Sequence, residues 1–285
     1  MHALPFLLAL ASAVVLAPGV LRMLADGGHI KANYRARPLP FPFGVLALAA
    51  ALLALVPLML VAELGAADLF HPEIFPIAVY ALGVLALGLV DDTLGDHSEI
   101  AHGDGRRVAR GWRGHGGALL RGELSTGALK AAGSLGLALL AMSWLGLSNG
   151  RWLLAAAVLV LATNAFNLLD LRPGRSSKAF VALGLGLVLG SGEMRPLWAL
   201  GLFVAPALVA GLFDLRERAM LGDTGANLLG ALAGLWLVLT LSGTGQLVAL
   251  AVLVAITVYG ELRSISALVE RTPVLRQLDS FGRPA

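Results

Sequence analysis

No cysteine occurs among the 285 residues, only 14% of them are charged, and aromatic residues make up 6%. The first absence excludes a disulfide-stapled secreted scaffold. The second excludes an ordinary soluble enzyme, since soluble domains carry roughly 25% charged residues, and it excludes a disordered chain, which would be more polar still. In place of charge the chain has 58% hydrophobic residues and a mean hydropathy of +0.81. The excess is gathered into uncharged runs such as 43–62 and 224–260, at or beyond the roughly 20 residues that cross a bilayer as a helix. The sequence therefore predicts an all-α, polytopic transmembrane helix bundle. Transporters, channels, membrane enzymes and lipid-handling proteins remain.

Apolar runs between polar punctuation predict about nine spans, at 4–21, 43–62, 75–91, 127–147, 152–169, 179–191, 196–213, 224–241 and 247–262. Alternating the connections puts 22–42, 92–126, 170–178, 214–223 and the tail after Glu261 on one side. Apart from Arg151 and Arg195, every Lys and Arg lies in those segments or, as Lys130, just inside the span that follows one. Basic loops mark the cytoplasmic side, so the N-terminus is expected outside and the C-terminus in the cytoplasm. The pI near 9.7 is accounted for in this way without nucleic acid. The first run lacks a basic n-region and a clear small-residue cleavage site before Arg22, which predicts a retained helix.

Residues 1–262 read as one transmembrane domain and 263–285 as a cytoplasmic amphipathic tail, in which Leu268, Val269, Leu275 and Leu278 alternate with Arg271, Arg276 and Arg283. The pairs Gly186/Gly190 and Gly230/Gly234 are expected to let helices approach closely, and Pro57 and Pro206 to permit kinks inside their spans. The long connection 93–126, with Arg106, Arg107, Arg110, Arg113 and Arg121 among many glycines, is expected to lie against anionic headgroups.

Carboxylates are costly near a membrane, and all but Glu63, Asp68, Glu73 and Glu193 fall on the expected cytoplasmic side. They form clusters. The third run ends directly in Asp91-Asp92, with Asp96 a turn beyond. Paired carboxylates at such a boundary suit a hard cation such as Mg2+, though a polar stop to the helix would look the same. The fifth run closes with Asn164, Asn167 and Asp170, spaced to face one cavity or one partner helix. Arg172, Arg175 and Lys178 follow in a short turn, where guanidinium groups can fork onto phosphate oxygens. The eighth run opens with Met220-Leu221-Gly222-Asp223-Thr224-Gly225-Ala226-Asn227, an acid flanked by glycines at a helix N-terminus. That element favours anions or a metal held by Asp223, or is simply a capped helix. Lys130, opening the fourth run, is a candidate phosphate contact or a snorkelling base.

These three clusters, in this order and on this side, resemble the polyprenyl-phosphate N-acetylhexosamine-1-phosphate transferase superfamily, which includes phospho-N-acetylmuramoyl-pentapeptide transferase. The first cytoplasmic segment, with Lys31, Arg35 and Pro38, resembles that family's first loop, so the likeness covers roughly residues 20 to 230. It implies transfer of a sugar 1-phosphate from a UDP-sugar to a polyprenyl phosphate, with Mg2+ (or Mn2+) and release of UMP, in cell-envelope polysaccharide synthesis at the plasma membrane. By matching position it implies catalytic roles for Asp91, Asp92 and Asp170. It also implies substrate contacts by Lys31, Lys130, Asn164, Asn167, Arg172 and Arg175, and metal binding by Asp223 and Asp92. The implied partners are polyprenyl phosphate, a UDP-sugar and membrane lipids, with a homodimer compatible. Two features depart from the family pattern. Bases stand at 172 and 175 where a second acid is usual, and no His occurs beyond His115, so the last-loop His motif is missing, as is a tenth apolar run. An alternative is a polyprenyl-phosphate or lipid-linked-sugar binding or transport protein that has lost the transferase step. A proton-coupled transporter would need ionisable groups near mid-membrane, where this chain keeps few.

Overall fold

A helix that is apolar on every face and rich in small residues belongs at the centre of a bundle. The computed structural model, which describes residues 1–65, 67–95 and 126–284, puts Gly222–Thr240 there, with 89% of its apolar window buried. In chain order the helices are α1 (Leu4–Asp26), α2 (Val45–Leu64), α3 (Ile74–Leu94), α4 (Thr126–Ser143), α5 (Asn149–Leu169) and α6 (Arg175–Ser191). They continue with α7 (Arg195–Ala199), α8 (Gly201–Leu215), α9 (Gly222–Thr240), α10 (Gly243–Leu262), α11 (Ile265–Arg271) and α12 (Pro273–Ser280). The central α9 packs on α3, α5 and α6; α1 packs on α2 and α8; α4 lies against α3 and α5; α10 leans on α5.

All nine expected runs are helical, but among the described residues seven helices are long and apolar enough to cross a membrane. The two that fall short are α6, with 17 residues, and α8, with 15. At 1.5 Å per residue these reach roughly 25 and 22 Å. The basic loop containing Asp96 and Arg106 to Arg121 lies outside the described residues.

Close approach at α9 depends on missing side chains. A Cβ on Gly230 would stand 2.6 Å from the Cα of Thr163 on α5, so only glycine admits this contact. Gly234 faces Leu159 on the same helix. The matching expectation for Gly186 and Gly190 is corrected, because nothing lies within 4 Å of either added Cβ; it is Gly184, on the opposite side of α6, that receives the Trp236 ring.

Two elements go beyond the expected bundle. Strands β1 (Ile30–Ala32) and β2 (Pro38–Pro40) form an antiparallel hairpin with Lys31 opposite Leu39. Its turn is held by Asn33, whose Oδ1 accepts the N–H groups of Arg35 and Arg37 at 2.8 and 3.0 Å, the short-range trick that suits Asn to turns. The chain after β2 is stitched to the turn before α9: the Met220 N–H donates to the Pro40 carbonyl, and the N–H of Phe43 to that of Met220. The second element is the tail. It folds as α11 and α12, separated at Thr272, and returns to the turn between α5 and α6, a docking that the sequence did not support.

Candidate active site

The packing around α9 brings together helix ends that are far apart in sequence. The C-terminal end of α3 meets the N-terminal end of α9 so closely that a Cβ on Gly88 would lie 2.6 Å from the Asp223 carbonyl oxygen. The first N–H groups of α9 have no partner within their own helix. Leu221, at its N-cap position, has no side-chain oxygen to offer them. Asp92 supplies it from α3: Oδ1 accepts the Asp223 N–H at 2.9 Å, and Oδ2 accepts the Thr224 N–H at 2.8 Å and its hydroxyl at 2.6 Å. Asp92, expected as a metal ligand and catalytic group, thus has both oxygens engaged at the start of α9. Both of its oxygens cap a helix whose dipole favours the negative charge.

Asp91, one residue earlier and about 100° round the helix, points elsewhere. Its Oδ2 lies 3.0 Å from the Lys130 ammonium, which also pairs with Asp223. In the orientation that satisfies both neighbours, the Asn167 carboxamide donates to Asp223 Oδ1 at 3.0 Å and accepts from Lys130 at 3.3 Å. Four side chains from α3, α4, α5 and α9 thus close one polar knot around a single positive centre. Two carboxylates and a carboxamide oxygen converging on a cation form a hard, all-oxygen donor set. That set fits Mg2+, which commonly takes one or two carboxylates and keeps water or phosphate for the rest. No fuller cluster of three His, Cys, Asp or Glu is present among the described residues.

Beside the knot lies a cavity of about 150 Å3, lined by Lys31, Tyr34, Asp170, Arg172, Met220 and Asp223 among others. Lys31 stands 4.5 Å from the Phe41 ring centroid and Arg172 lies 4.4 Å from that of Tyr34, so two cations are held by aromatic faces. Asp170 accepts the Ser176 hydroxyl at 3.1 Å. Burial and the like charge of Asp214 hold its carboxyl well above the usual range, which favours the protonated acid. At 150 Å3 the cavity is smaller than the roughly 300–1,000 Å3 that encloses a ligand of nucleotide size.

Two expected contacts are not in this group. Asn164 donates to Thr257 on α10 at 3.3 Å and is an interhelical clamp, because each step of three residues turns the helix face by about 60°. Arg175 faces the tail: it forks onto Asp279 at 2.8 and 3.1 Å and borders a separate apolar cavity. Asn227 is buried, and its carboxamide meets no partner among the described residues.

Two acids that no motif marked hold the site's loops. Asp214, closing α8, accepts the N–H groups of Gly174 at 2.6 Å and Leu221 at 3.2 Å, pinning the α5–α6 turn to the α8–α9 turn. Glu217, with its side chain 1% exposed, accepts from Asn33 and Tyr34, each at 3.2 Å, and lies 3.6 Å from both Arg35 and Arg37. The only signal for either was an acid next to an apolar run. Compared with known proteins, the chain matches no family model and no curated protein.

Proposed function

We propose that the chain is a membrane phosphoglycosyl transferase, moving a sugar 1-phosphate of N-acetylhexosamine type from a UDP-sugar to a polyprenyl phosphate at the cytoplasmic face of the plasma membrane. The observation that carries this reading is the convergence of Asp91, Lys130, Asn167 and Asp223 on one point, at the helix ends where a headgroup would sit. Phosphoryl transfer asks a protein mainly to position its reactants and offset charge. Asp91 orients the lipid phosphate and accepts its proton. Lys130, exchanging its carboxylate partners for phosphate oxygens, steadies the transferred group, and Lys31 and Arg172 meet the nucleotide diphosphate. Asp92 acts by holding the first turn of α9, and so Asp223, in place. Asp223 and the Asn167 oxygen would hold Mg2+, which when bound offsets charge on the diphosphate and its leaving group.

The test is purified protein with polyprenyl phosphate, Mg2+ and a panel of UDP-sugars, scored for UMP and a lipid diphosphate-sugar. Turnover with at least one UDP-N-acetylhexosamine is expected, with dependence on Mg2+ or Mn2+ and loss in Asp91→Asn and Asp223→Asn, since Asn keeps the shape without the charge. Binding of polyprenyl phosphate with no donor turned over would replace the transferase with a lipid-binding or transport protein.

A further inference from the structure

The turn 172–178 carries three cations, and the tail meets every one of them. Arg175, with its side chain 8% exposed, forks onto Asp279 and donates to the Ser266 hydroxyl at 3.2 Å. Arg283 shares Asp279 at 2.7 Å and donates to the Pro173 carbonyl at 2.8 Å. Lys178 points at the carbonyls of Leu278, Asp279 and Phe281, the negative end of α12. Arg172 reaches Glu270 at 3.0 Å while still lining the small polar cavity. Each of these partners is an oxygen, met in the fork or point geometry that a phosphate group also satisfies.

The other side of the tail is apolar. Ile265, Leu268, Leu275, Leu278 and Phe281 form one wall of an open cavity of about 1110 Å3, whose other walls are α6, α8 and α10. Helices of seven and eight residues do not persist without such support. The tail is thus held by two seams, a row of ion pairs and a partly exposed apolar face.

We propose that the helix pair α11–α12 is an autoinhibitory lid, in which Glu270, Asp279 and the last carbonyls of α12 occupy the cations of the 172–178 turn until a phosphate group displaces them. Phosphate oxygens then pair with Arg172, Arg175 and Lys178, and the released tail uncovers the turn and opens the apolar cavity. The inference rests on reading this turn as facing phosphate, and it is tested by binding and tail exposure, not by turnover.

The experiment is hydrogen exchange of residues 265–283 in the full chain, with a long-chain alkyl phosphate, the matching alcohol, or inorganic phosphate. The alkyl phosphate is expected to raise exchange several-fold and the alcohol to leave it unchanged. A further response to inorganic phosphate assigns the displacing group to the bare anion; its absence assigns a lipid headgroup. Asp279→Asn should expose the tail without ligand and tighten alkyl phosphate binding up to about tenfold, the factor expected if the lid is open about one-tenth of the time. Glu270→Gln, on the exposed seam, should act in the same direction should Asp279→Asn fold poorly. Unchanged exchange at saturating alkyl phosphate, or an exposed tail with no gain in affinity, overturns the lid. Tail release by phosphate without turnover of any donor keeps the lid and removes the transferase.

Discussion

Adjacent aspartates in this chain do different work, and the difference is measurable. Asp92 caps α9 with both oxygens, so Asp92→Ala should lower stability in detergent by about 0.5–2 kcal/mol, the usual range for losing an N-cap. Asp91→Asn should leave the unfolding midpoint nearly unchanged while abolishing turnover; thermal unfolding and UMP release, run on both variants, separate the two roles. Asp170 gives the opposite sign on pH. A carboxyl raised by burial and by Asp214 favours the fold below its ordinary value of 3.8, and that advantage is lost as pH rises through the raised value. Asp170→Asn should therefore keep or raise the unfolding midpoint at pH 7 and flatten its pH dependence. Burial of Asp279 opposes its charge, but the hydrogen bonds and charges of Arg175 and Arg283 outweigh that and lower its carboxyl. Its tie is complete above about pH 4 and lost as pH falls further, so hydrogen exchange in the tail should rise steeply only on strong acidification.

Among elements, the approach of α3 to the start of α9 decides whether the site forms. Gly88→Ala would drive a Cβ to 2.6 Å from a backbone oxygen that has no room to yield, at about 1–3 kcal/mol by the usual cost of overpacking, and it should reduce activity by moving Asp223. Gly186→Ala meets nothing within 4 Å and should be neutral or stabilising by up to about 1 kcal/mol. Unfolding in detergent measures both, and equal effects would place the α3–α9 contact elsewhere. The hairpin is the second element of this kind. Its turn is tied to Glu217, so Glu217→Gln should loosen residues 30–40 in hydrogen exchange while leaving α9 protected.

For the whole molecule, the open quantity is how the helices thread the membrane. The absence of cysteine makes single introduced cysteines clean reporters. An impermeant maleimide should label positions near Arg151 and Glu193 from one face of sealed vesicles and positions near Arg37 and Arg276 only after the membrane is opened. Labelling of 193 from the same face as 37 would mean that α6, α7 and α8 form a re-entrant group. Seven crossings would then replace nine, in keeping with the short lengths of α6 and α8, and the basic turns at 170–178 and 214–223 would keep their side.

Helix class, the positions of the runs and the residues worth testing were legible in the sequence, because burial in lipid writes itself as unbroken apolar length and the cost of a carboxylate there singles out Asp91, Asp170 and Asp223. The partners of those residues were not legible. That Asp92 caps a helix 131 positions away, that Lys130 joins Asp91 to Asp223, that Asn164 turns away to Thr257, and that the tail settles on Arg175 are all contacts between distant segments. Local spacing fixes only which face of a helix a residue occupies. What that face meets depends on how closely glycines such as Gly88 and Gly230 let neighbouring helices come, and that was decided only when the bundle packed around α9.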